Sequence, residues 1–387
     1  MKKLLLYGGT FDPPHIGHYE LLRQTVRRTR FDKIIVMPTA MPPHKEAKHF
    51  LSDETRLAAV KLLFETIRGV KVSDLEMRRG GKSYSIDTLR YLSEQYPDHE
   101  ISMLMGSDMF LSFEKWRRFE EILSLCTLIT APRHPGEREA LCRRRDELVG
   151  RYGARCIVLD LPVVDLSSTG VRAGEKDGLP LEVRYLLYGE TALEPLIRHL
   201  SETLTEQKYE HTLRVAEYCA ALAARFGEDE RKARLAGLLH DITKCRNKAW
   251  QLRYMQQKRV KLSVSDRKAP QIFHQITAPY FAAENFNVRD RSILHALGCH
   301  TTGRAHMSKL DKILFLADGI EPGRDYDGVG TIRRTAEKDL DRAALMYCDR
   351  SIHYIVDRGF FLHPDTVSAR NDLLRKIYSE DKASGKK

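Results

Sequence analysis

The sequence predicts two domains of different fold class: an α/β domain with a doubly wound parallel sheet over residues 1–190, and an all-α domain over residues 191–387. A chain of 387 residues is too long for one ordinary core and suits two. In the first half, short aliphatic runs alternate with longer amphipathic stretches, as in a parallel sheet covered by helices. From about Glu194 onward the strand-like runs disappear and helical spacing takes over.

Five short aliphatic runs in the first half are predicted to be buried strands, because each is stopped by Gly, Pro or Asp. They are KKLLLYGG, DKIIVMPT, ISMLMGSD, CTLITAPR and ARCIVLDLP. Residues 53–68 and 84–96 lie between strands and have amphipathic spacing, which predicts helices. The opening MKKLLLYGG contains only a short apolar core, so we expect a first strand rather than a signal peptide.

The second half is predicted to consist of helices. The segments HTLRVAEYCAALAARF, RKARLAGLLHDIT and SKLDKILFLADGI have helical spacing, and no β-branched runs separate them. The stretch GETALEP contains helix breakers, which places the predicted domain boundary within residues 188–195.

Composition limits the classes of protein to which the chain can belong. Hydrophobic residues make up 42% and charged residues 30%, as in globular proteins. No apolar run approaches the ~18 residues that a membrane span needs. Seven scattered cysteines without a CxxC pair indicate a reducing compartment, so we expect a cytoplasmic protein. The net charge of +11 suits a polyphosphate ligand, and nucleic acid is not an expected partner because no binding motif accompanies that charge.

The segment GGTFDPPHIGH, residues 8–18, follows the first predicted strand and opens a helix, at the sheet edge where open α/β folds bind ligands. Gly8 and Gly9 allow the backbone to approach a phosphate group closely. His15 and His18 are predicted to share one face of the first helical turn, close to its positive end. Donors at that point suit the oxygens of a nucleotide triphosphate.

The whole string resembles the signature of the nucleotidylyltransferase superfamily, and its longer form resembles the bacterial nicotinate-nucleotide adenylyltransferases. The segments PPHK, SYSIDTL, GSD and SSTGVR follow in that family's order. The resemblance implies a Rossmann-like domain that transfers the adenylyl group of ATP to nicotinate mononucleotide, giving deamido-NAD and pyrophosphate, with Mg²⁺ bridging the phosphates. It assigns catalytic roles to His15, His18, Lys45 and Arg172, nucleotide binding to Gly8, Gly9, Thr10, Gly106, Asp108, Ser168 and Thr169, and substrate binding to Tyr84, Ser85 and Trp116.

Several assignments leave alternatives open. Trp116 either stacks on the pyridine ring or packs in the core. The family carries Arg-Pro-Gly after the strand that ends in LITAPR, whereas residues 133–136 read RHPG, so the role of Arg133 is open. Nicotinamide mononucleotide and phosphopantetheine are alternative acceptors, and SYSIDTL with Trp116 favours nicotinate. HIGH (15–18) with MSK (307–309) imitates the class I aminoacyl-tRNA synthetases, but MSK lies in the all-α half.

Imidazole and carboxylate side chains recur in the second half at positions compatible with helices. Asp241 and Asp318 lie in aliphatic segments, where an unpaired carboxylate is costly to bury and a metal ion is the natural partner. A set of imidazoles and carboxylates without a thiolate suits iron or manganese better than structural zinc. The candidate ligands are His211, His240, Asp241, His274, His300 and Asp318.

The order H…HD…H…H…D resembles the HD-domain metal phosphohydrolases. The strings HDITK, HTTGR and LADGIEPGR resemble the bacterial di-iron branch that cleaves diadenosine tetraphosphate symmetrically into two ADP. The resemblance implies a dinuclear Fe²⁺/Fe³⁺ or Mn²⁺ site bridged by Asp241, and phosphate contacts from Lys244 and Arg304. The family tends to place a small residue after the ligand at His274, and this chain has Gln275.

The sequence therefore predicts a bifunctional cytoplasmic enzyme with ATP, nicotinate mononucleotide and diadenosine tetraphosphate as substrates. Two alternatives concern the helical half, which would be a nucleotide-sensing module without turnover or a hydrolase of another nucleotide. The complete ligand set favours turnover over sensing. The ligands do not discriminate between nucleotides, because they act on the phosphate and not on the base. The sequence does not determine the oligomeric state, the metal in the cell, or any coupling between the two sites.

Overall fold

The computed structural model describes residues 2–40, 51–175 and 177–383. The chain divides into two compact units, Met1–Val183 and Arg184–Lys387. The division falls inside the helix Leu181–Tyr188, whereas the sequence placed the boundary at residue 190. Among the described residues, no helix combines the length and apolar character that a membrane crossing requires.

The first unit contains a parallel sheet, as the sequence predicts. Within its described residues the strand order is β3-β2-β1-β4-β5-β6, and every neighbouring pair is parallel. Five strands coincide with the predicted runs. The strand β3 was not predicted, because it is a three-residue edge strand without an aliphatic run. The strands are β1 (Lys2–Gly9), β2 (Lys33–Pro38), β3 (Val70–Val72), β4 (His99–Leu104), β5 (Cys126–Thr130) and β6 (Cys156–Val158).

The central strand β1 determines where a ligand can bind. Leu4 to Tyr7 are buried, because helices cover both faces of the sheet. The chain proceeds from β1 to β2 on one side and later returns to β4 on the other side of β1. This change of direction is a topological switch point, which leaves a crevice at the carboxyl ends of β1 and β4.

The helices of the first unit connect these strands. The predicted helices at 53–68 and 84–96 are observed as α2 and α4, each slightly shorter. The helices are α1 (Ile16–Arg28), α2 (Asp53–Phe64), α3 (Leu75–Arg79), α4 (Ser85–Gln95), α5 (Ser107–Leu111), α6 (Phe119–Leu125), α7 (Arg138–Tyr152), α8 (Ser168–Arg172) and α9 (Leu181–Tyr188), with a 3-10 turn at Phe113–Lys115.

The second unit is helical throughout its described residues. It comprises α10 (Glu194–Thr203), α11 (Glu206–Phe226), α12 (Glu230–Leu239), α13 (Lys248–Gln257), α14 (Val264–Lys268), α15 (Phe273–Asn285), α16 (Arg291–Leu297), α17 (Lys309–Ile320), α18 (Val329–Ala336), α19 (Leu340–Asp357) and α20 (Pro364–Ala383), with 3-10 turns at Gly189–Leu193 and Pro270–Ile272.

Helix α17 forms the centre of this unit, and α11 packs closely against α12. Gly237 permits that packing, because a Cβ atom there would lie 2.5 Å from the Cα atom of Ala216. The close approach brings the end of α12, with His240, next to α11, with His211. Their ring centroids lie 5.5 Å apart.

Candidate functional sites

The first unit contains a cavity of about 770 Å³ at the carboxyl ends of β1 and β4. All of the predicted site residues of this unit that the structure describes line this one cavity. They are Gly8, Gly9, Thr10, His15, His18, Tyr84, Ser85, Gly106, Asp108, Trp116, Ser168, Thr169 and Arg172. Lys45 lies outside the described residues.

His15 and His18 are held by each other and by the start of α1. The sequence placed His15 in the first turn of this helix, whereas the structure shows that it is the N-cap residue. Its Nδ1 accepts a hydrogen bond from the backbone N–H of Gly17 at 3.2 Å. Nδ1 of His18 accepts one from the backbone N–H of His15, also at 3.2 Å. Because both Nδ1 atoms are acceptors, each neutral ring carries its proton on Nε2.

The electrostatics of the cavity keep these two rings neutral. Burial, together with the charge of Arg133, lowers the pKa of His15 to about 3. Burial, the adjacent ring of His15 and the charge of Arg133 hold the pKa of His18 well below its usual value. Nε2 of His15 has no hydrogen-bond partner among the described residues. The rings therefore offer N–H donors to a ligand rather than full positive charges.

Gly8 and Gly9 lack a side chain for different physical reasons. A Cβ atom on Gly8 would meet nothing within 4 Å, so the backbone there is open to a ligand. A Cβ atom on Gly9 would lie 2.9 Å from the ring of Phe11. Phe11 is buried, and its ring packs against His18 with the centroids 5.1 Å apart. Gly9 thus makes room for an internal aromatic contact and also lines the cavity.

Helix α8 is hydrogen-bonded to the loop between β1 and α1. The hydroxyl of Ser168 donates to the carbonyl oxygen of Pro13 at 3.0 Å. The guanidinium of Arg172 donates to the carbonyl oxygen of Asp12 and, at 3.1 Å, to Oγ1 of Thr169. These bonds hold the two predicted phosphate motifs at one point of the cavity, although about 160 residues separate them in the chain.

Arg133 lies in this cavity despite the unusual sequence that follows it. Its Nε donates to the carbonyl oxygen of Leu166 at 2.8 Å, and its Nη1 lies 3.8 Å from Oδ2 of Asp108. The extra histidine at position 134 therefore does not remove the guanidinium from the cavity.

Trp116 packs in the core and also faces the cavity, so its position is compatible with both of its alternatives. Its ring packs against the sheet core and lies 5.2 Å from the ring of Phe113, yet it also lines the cavity. Tyr84 lies in the same wall, with the guanidinium of Arg117 4.6 Å from its ring centroid. The aromatic part of the cavity is therefore built partly from core residues.

The second unit brings together all six predicted metal ligands. Helices α11, α15 and α17 contribute one each, and the remaining three follow the ends of α12 and α16. Two groups of three have their ligand atoms within 4.8 Å of one another, namely His211, His240 and Asp318 in one group and Asp241, His274 and His300 in the other.

Each of the four histidines is anchored through Nδ1 to an oxygen atom. An imidazole that donates from Nδ1 keeps its lone pair on Nε2, which is the usual arrangement around a bound metal ion. The acceptors are the carbonyl of Gly237 for His240 (2.7 Å), of Gln271 for His274 (2.9 Å) and of Leu297 for His300 (2.8 Å), and the carboxylate of Glu321 for His211 (3.1 Å).

Asp241 connects the two groups. Its Oδ2 lies 3.5 Å from Nε2 of His240, and its Oδ1 lies 3.4 Å from Nε2 of His274 and 3.6 Å from Nε2 of His300. Nε2 of His240 and Oδ1 of Asp241 are buried without a hydrogen-bond partner among the described residues. Lone pairs that face one another in this way fit divalent cations, one in each group, with Asp241 between them.

The pKa values of His240 and Asp241 give these two residues the protonation states that metal ligands need. Burial lowers the pKa of His240 to about 4, although Asp241 and Asp318 oppose that effect. Burial raises the pKa of Asp241, but His240 and Lys244 outweigh it and hold this pKa well below its usual value. At neutral pH the imidazole is therefore uncharged and the carboxylate is ionised.

Two residues of this site were missed in the sequence, although both lie in LADGIEPGR. Glu321 is buried; it accepts from Nδ1 of His211 and, at 2.8 Å, from Nε of Arg214. Arg324 donates to Oδ1 of Asp318 at 3.0 Å. The string itself was the available signal, since it contains both residues beside Asp318.

The two predicted phosphate contacts of this unit have different surroundings. Nζ of Lys244 lies 2.9 Å from Nε2 of His274 and 3.3 Å from Oδ1 of Asp241, directly beside the ligands. Arg304 instead lies against His295 and the buried carboxylate of Asp311, at the opposite end of α17 from Asp318.

Both halves match known families. Residues 6–174 match the family model described as cytidylyltransferase-like, and residues 209–323 match the HD domain. A protein of Mycoplasma genitalium, named a probable nicotinate-nucleotide adenylyltransferase/Ap4A hydrolase, is 28% identical over 329 residues, which cover 84% of this chain and 89% of that protein. A probable nicotinate-nucleotide adenylyltransferase of Halalkalibacterium halodurans is 34% identical over 198 residues, covering 49% of this chain and 89% of that protein.

Among solved structures, one from Clostridium acetobutylicum, titled a predicted HD superfamily hydrolase involved in NAD metabolism, is 36% identical. It covers 47% of this chain and 97% of that chain, with a TM-score of 0.47. The two resemblances found in the sequence are confirmed by the two family models and by the relatives from Mycoplasma genitalium and Halalkalibacterium halodurans. The chain belongs to the nicotinate-nucleotide adenylyltransferase family through its first unit and carries an HD domain in its second.

Proposed function

We propose that the chain is a bifunctional enzyme. The first unit transfers the adenylyl group of ATP to nicotinate mononucleotide and releases pyrophosphate. The second unit hydrolyses diadenosine tetraphosphate to two molecules of ADP at a dinuclear metal site. The relative from Mycoplasma genitalium, whose name contains both activities, supports this pairing because it aligns over 84% of the chain.

The transfer reaction needs no general base in this cavity. The phosphate of the mononucleotide is already ionised, so its oxygen attacks the α-phosphorus of ATP as the bond to pyrophosphate breaks. Mg²⁺ would arrive with ATP and bridge its phosphates. The protein then has to position the phosphates and stabilise their charge, and the unpartnered Nε2–H of His15 supports that role. His18 and the guanidinium of Arg172 complete a set of donors around the same loop.

The acceptor is tested by kinetics with the full chain. We expect kcat/KM for nicotinate mononucleotide to exceed that for nicotinamide mononucleotide and for phosphopantetheine by at least a hundredfold. The wall of Tyr84, Ser85 and Trp116 suits a flat ring that carries a small anionic group. Equal use of the acid and the amide would contradict the nicotinate assignment.

The hydrolase proposal is carried by one observation, the two oxygens of Asp241 that face separate ligand groups. His211, His240 and Asp318 would hold one metal ion and His274 and His300 the other, with Asp241 shared. Because the described set lacks a thiolate, iron or manganese fits better than zinc. Such a pair would supply an activated water and neutralise phosphoryl charge. Lys244 and Arg324 lie beside these ligands, where each can bind a phosphoryl oxygen.

This proposal is tested by purifying the full chain without oxygen, counting the bound metal, and adding diadenosine tetraphosphate with Fe²⁺ or Mn²⁺. We expect about two metal ions per chain and ADP as the sole product. ATP with AMP would contradict symmetrical cleavage. Bound nucleotide without product would instead favour a sensing module.

A further inference from the structure

We infer that three lysines beside the metal centre, Lys208, Lys244 and Lys248, form a binding site for a polyphosphate chain. This lysine cluster would hold the phosphates that extend beyond the one under attack. The inference rests on the proposed hydrolase function and names the feature of the substrate that the second unit recognises. It predicts selection for a ligand with several linked phosphates over a simple phosphate ester.

Lys244 and Lys208 both lie near predicted metal ligands. Lys244 contacts His274 and Asp241 directly. Lys208 lies three residues before His211 on α11, so the two side chains share one face of that helix. Nζ of Lys208 lies 3.6 Å from Sγ of Cys245, the residue that follows Lys244 in the chain.

Lys248 completes the cluster from the start of α13. Its Nζ lies 3.4 Å from Oε1 of Gln251 and 5.7 Å from the ring centroid of Phe273. Burial and the nearby ammonium groups of Lys244 and Lys208 lower the pKa of Lys248. Because Phe273 directly precedes the ligand His274, the contact with its ring places Lys248 next to the proposed metal site.

In the part of the chain that the structure describes, two members of the cluster, Lys208 and Lys248, lack the carboxylate that pairs other lysines of this unit. Lys232 forms an ion pair with Asp290 at 2.7 Å, and Lys312 one with Asp341 at 2.5 Å. Within the described ranges, Lys208 and Lys248 contact a thiol, an amide and a ring but form no ion pair with a carboxylate. Uncompensated charges at close range repel one another, and a polyanion would remove that repulsion.

A dinucleoside polyphosphate has the matching chemistry. Its bridging chain carries several negative charges in a row. The metal ions would bind only the oxygens of the one phosphate group under attack. A cluster that begins at Lys244 and continues through Lys208 and Lys248 can follow that chain away from the ligands. Recognition of this kind depends on the number of linked phosphates and not on the base.

The direct test is lysine footprinting on the full chain, with acylation at each lysine read by mass spectrometry. We expect inorganic tripolyphosphate to protect Lys208 and Lys248 at least fivefold, and orthophosphate at the same concentration to protect them much less. Lys309 is the internal control, because it begins α17 and Asp318 lies near the other end of that helix. Unchanged acylation of Lys208 and Lys248 would overturn the proposal. Because the signal is read at each lysine, ligand bound in the first unit does not disturb it.

A second test uses turnover by the Mn²⁺-loaded chain. We expect Lys208→Gln and Lys248→Gln each to lower kcat/KM for diadenosine tetraphosphate about tenfold, mainly through KM, and to affect bis(4-nitrophenyl) phosphate much less. Lys309→Gln removes the same charge elsewhere and should change neither substrate. Equal losses with both substrates would overturn the lysine cluster. A wild-type chain that hydrolyses neither substrate would instead contradict the proposed hydrolase, and footprinting would still decide on the cluster.

Discussion

The two units use histidine in opposite ways. In the first unit, Nδ1 of His15 and of His18 accepts a backbone N–H, so Nε2 carries the proton and the rings present donors. In the second unit, Nδ1 of His240, His274 and His300 donates to a backbone carbonyl, so Nε2 presents a lone pair. His211 differs, because its Nδ1 lies against Glu321 and its Nε2 lies 3.1 Å from Oδ1 of Asp318. Donors suit the oxygens of a phosphate, and lone pairs suit a metal cation. The partner of Nδ1 therefore decides whether a buried imidazole serves an anion or a cation.

The largest effect is expected where the cation site itself is removed. Asp241→Ala should abolish metal binding and His240→Ala should remove the ion of its own group, because each removes a buried ligand. Both should lower hydrolysis more than a thousandfold. Adenylyl transfer should stay within twofold. Metal content and both activities are measured on the same preparation. His353→Ala, at an exposed histidine, is the matched control. Full metal occupancy in Asp241→Ala would contradict its place between two ions.

Substitution in the phosphate-binding cavity of the first unit should have nearly as large an effect on adenylyl transfer. We expect His18→Ala to lower kcat for adenylyl transfer by ~100- to 1000-fold, as for the loss of one donor to developing charge. Hydrolysis in the second unit should not change. His134→Ala, at an exposed histidine beside the cavity, is the control. A near-normal rate in His18→Ala would show that the donor at this position is not used.

The anchoring of Nδ1 can be tested at Glu321, which is the one side-chain anchor among the four ligand histidines. Glu321→Gln should weaken metal binding roughly tenfold, because outer partners orient and polarise a ligand imidazole. Affinity is measured by competition with a chelator, independently of turnover. Glu337→Gln, at an exposed glutamate, is the control. Unaltered affinity would mean that the carboxylate only binds Arg214.

The last prediction concerns the pH dependence of stability in the first unit. The pKa of His15 is lowered to about 3 by burial, and that of His18 is also lowered. In the unfolded chain these histidines have a pKa of ~6.5 and bind protons below that pH, whereas in the folded chain they stay neutral. Their contribution to the free energy of unfolding is therefore fully present above pH ~6.5 and is lost as the pH falls. The loss is about 1.4 kcal/mol per pH unit for each ring that stays neutral. Denaturant unfolding at pH 7.5 and 5.0 measures it, and His18→Asn should reduce the difference. An unchanged difference would contradict a neutral His18.

The sequence predicted the sheet and its cavity well for a physical reason. Short buried strands are hydrophobic throughout, and the motif residues that follow them meet because the carboxyl ends of parallel strands share one edge. Residues as far apart as Gly8 and Arg172 therefore line one cavity. The edge strand β3 escaped prediction because it is short and only partly buried.

Other features depended on contacts between side chains that do not share a helix, and these contacts could not be predicted from sequence patterns. Arg304 follows a ligand segment in the chain, yet it lies against Asp311 rather than beside the metal ligands. Glu321 reaches His211 across 110 residues. Pattern and spacing identify neighbours along a single helix. The two residues of the pair Arg304–Asp311 do not lie on one helix, and neither do those of the pair Glu321–His211.

The sequence by itself determined the types of residue at each site, and with them the classes of ligand: glycines and histidines after a strand for phosphate, imidazoles and carboxylates without thiolate for a hard or borderline metal ion. The tertiary structure alone decided which nitrogen of each histidine faces the site, which of the two oxygens of Asp241 serves which ligand group, and which lysines lack a carboxylate. These properties depend on packing between helices that are far apart in the chain, because only packing fixes the hydrogen-bond partner and the charge nearest to a buried side chain.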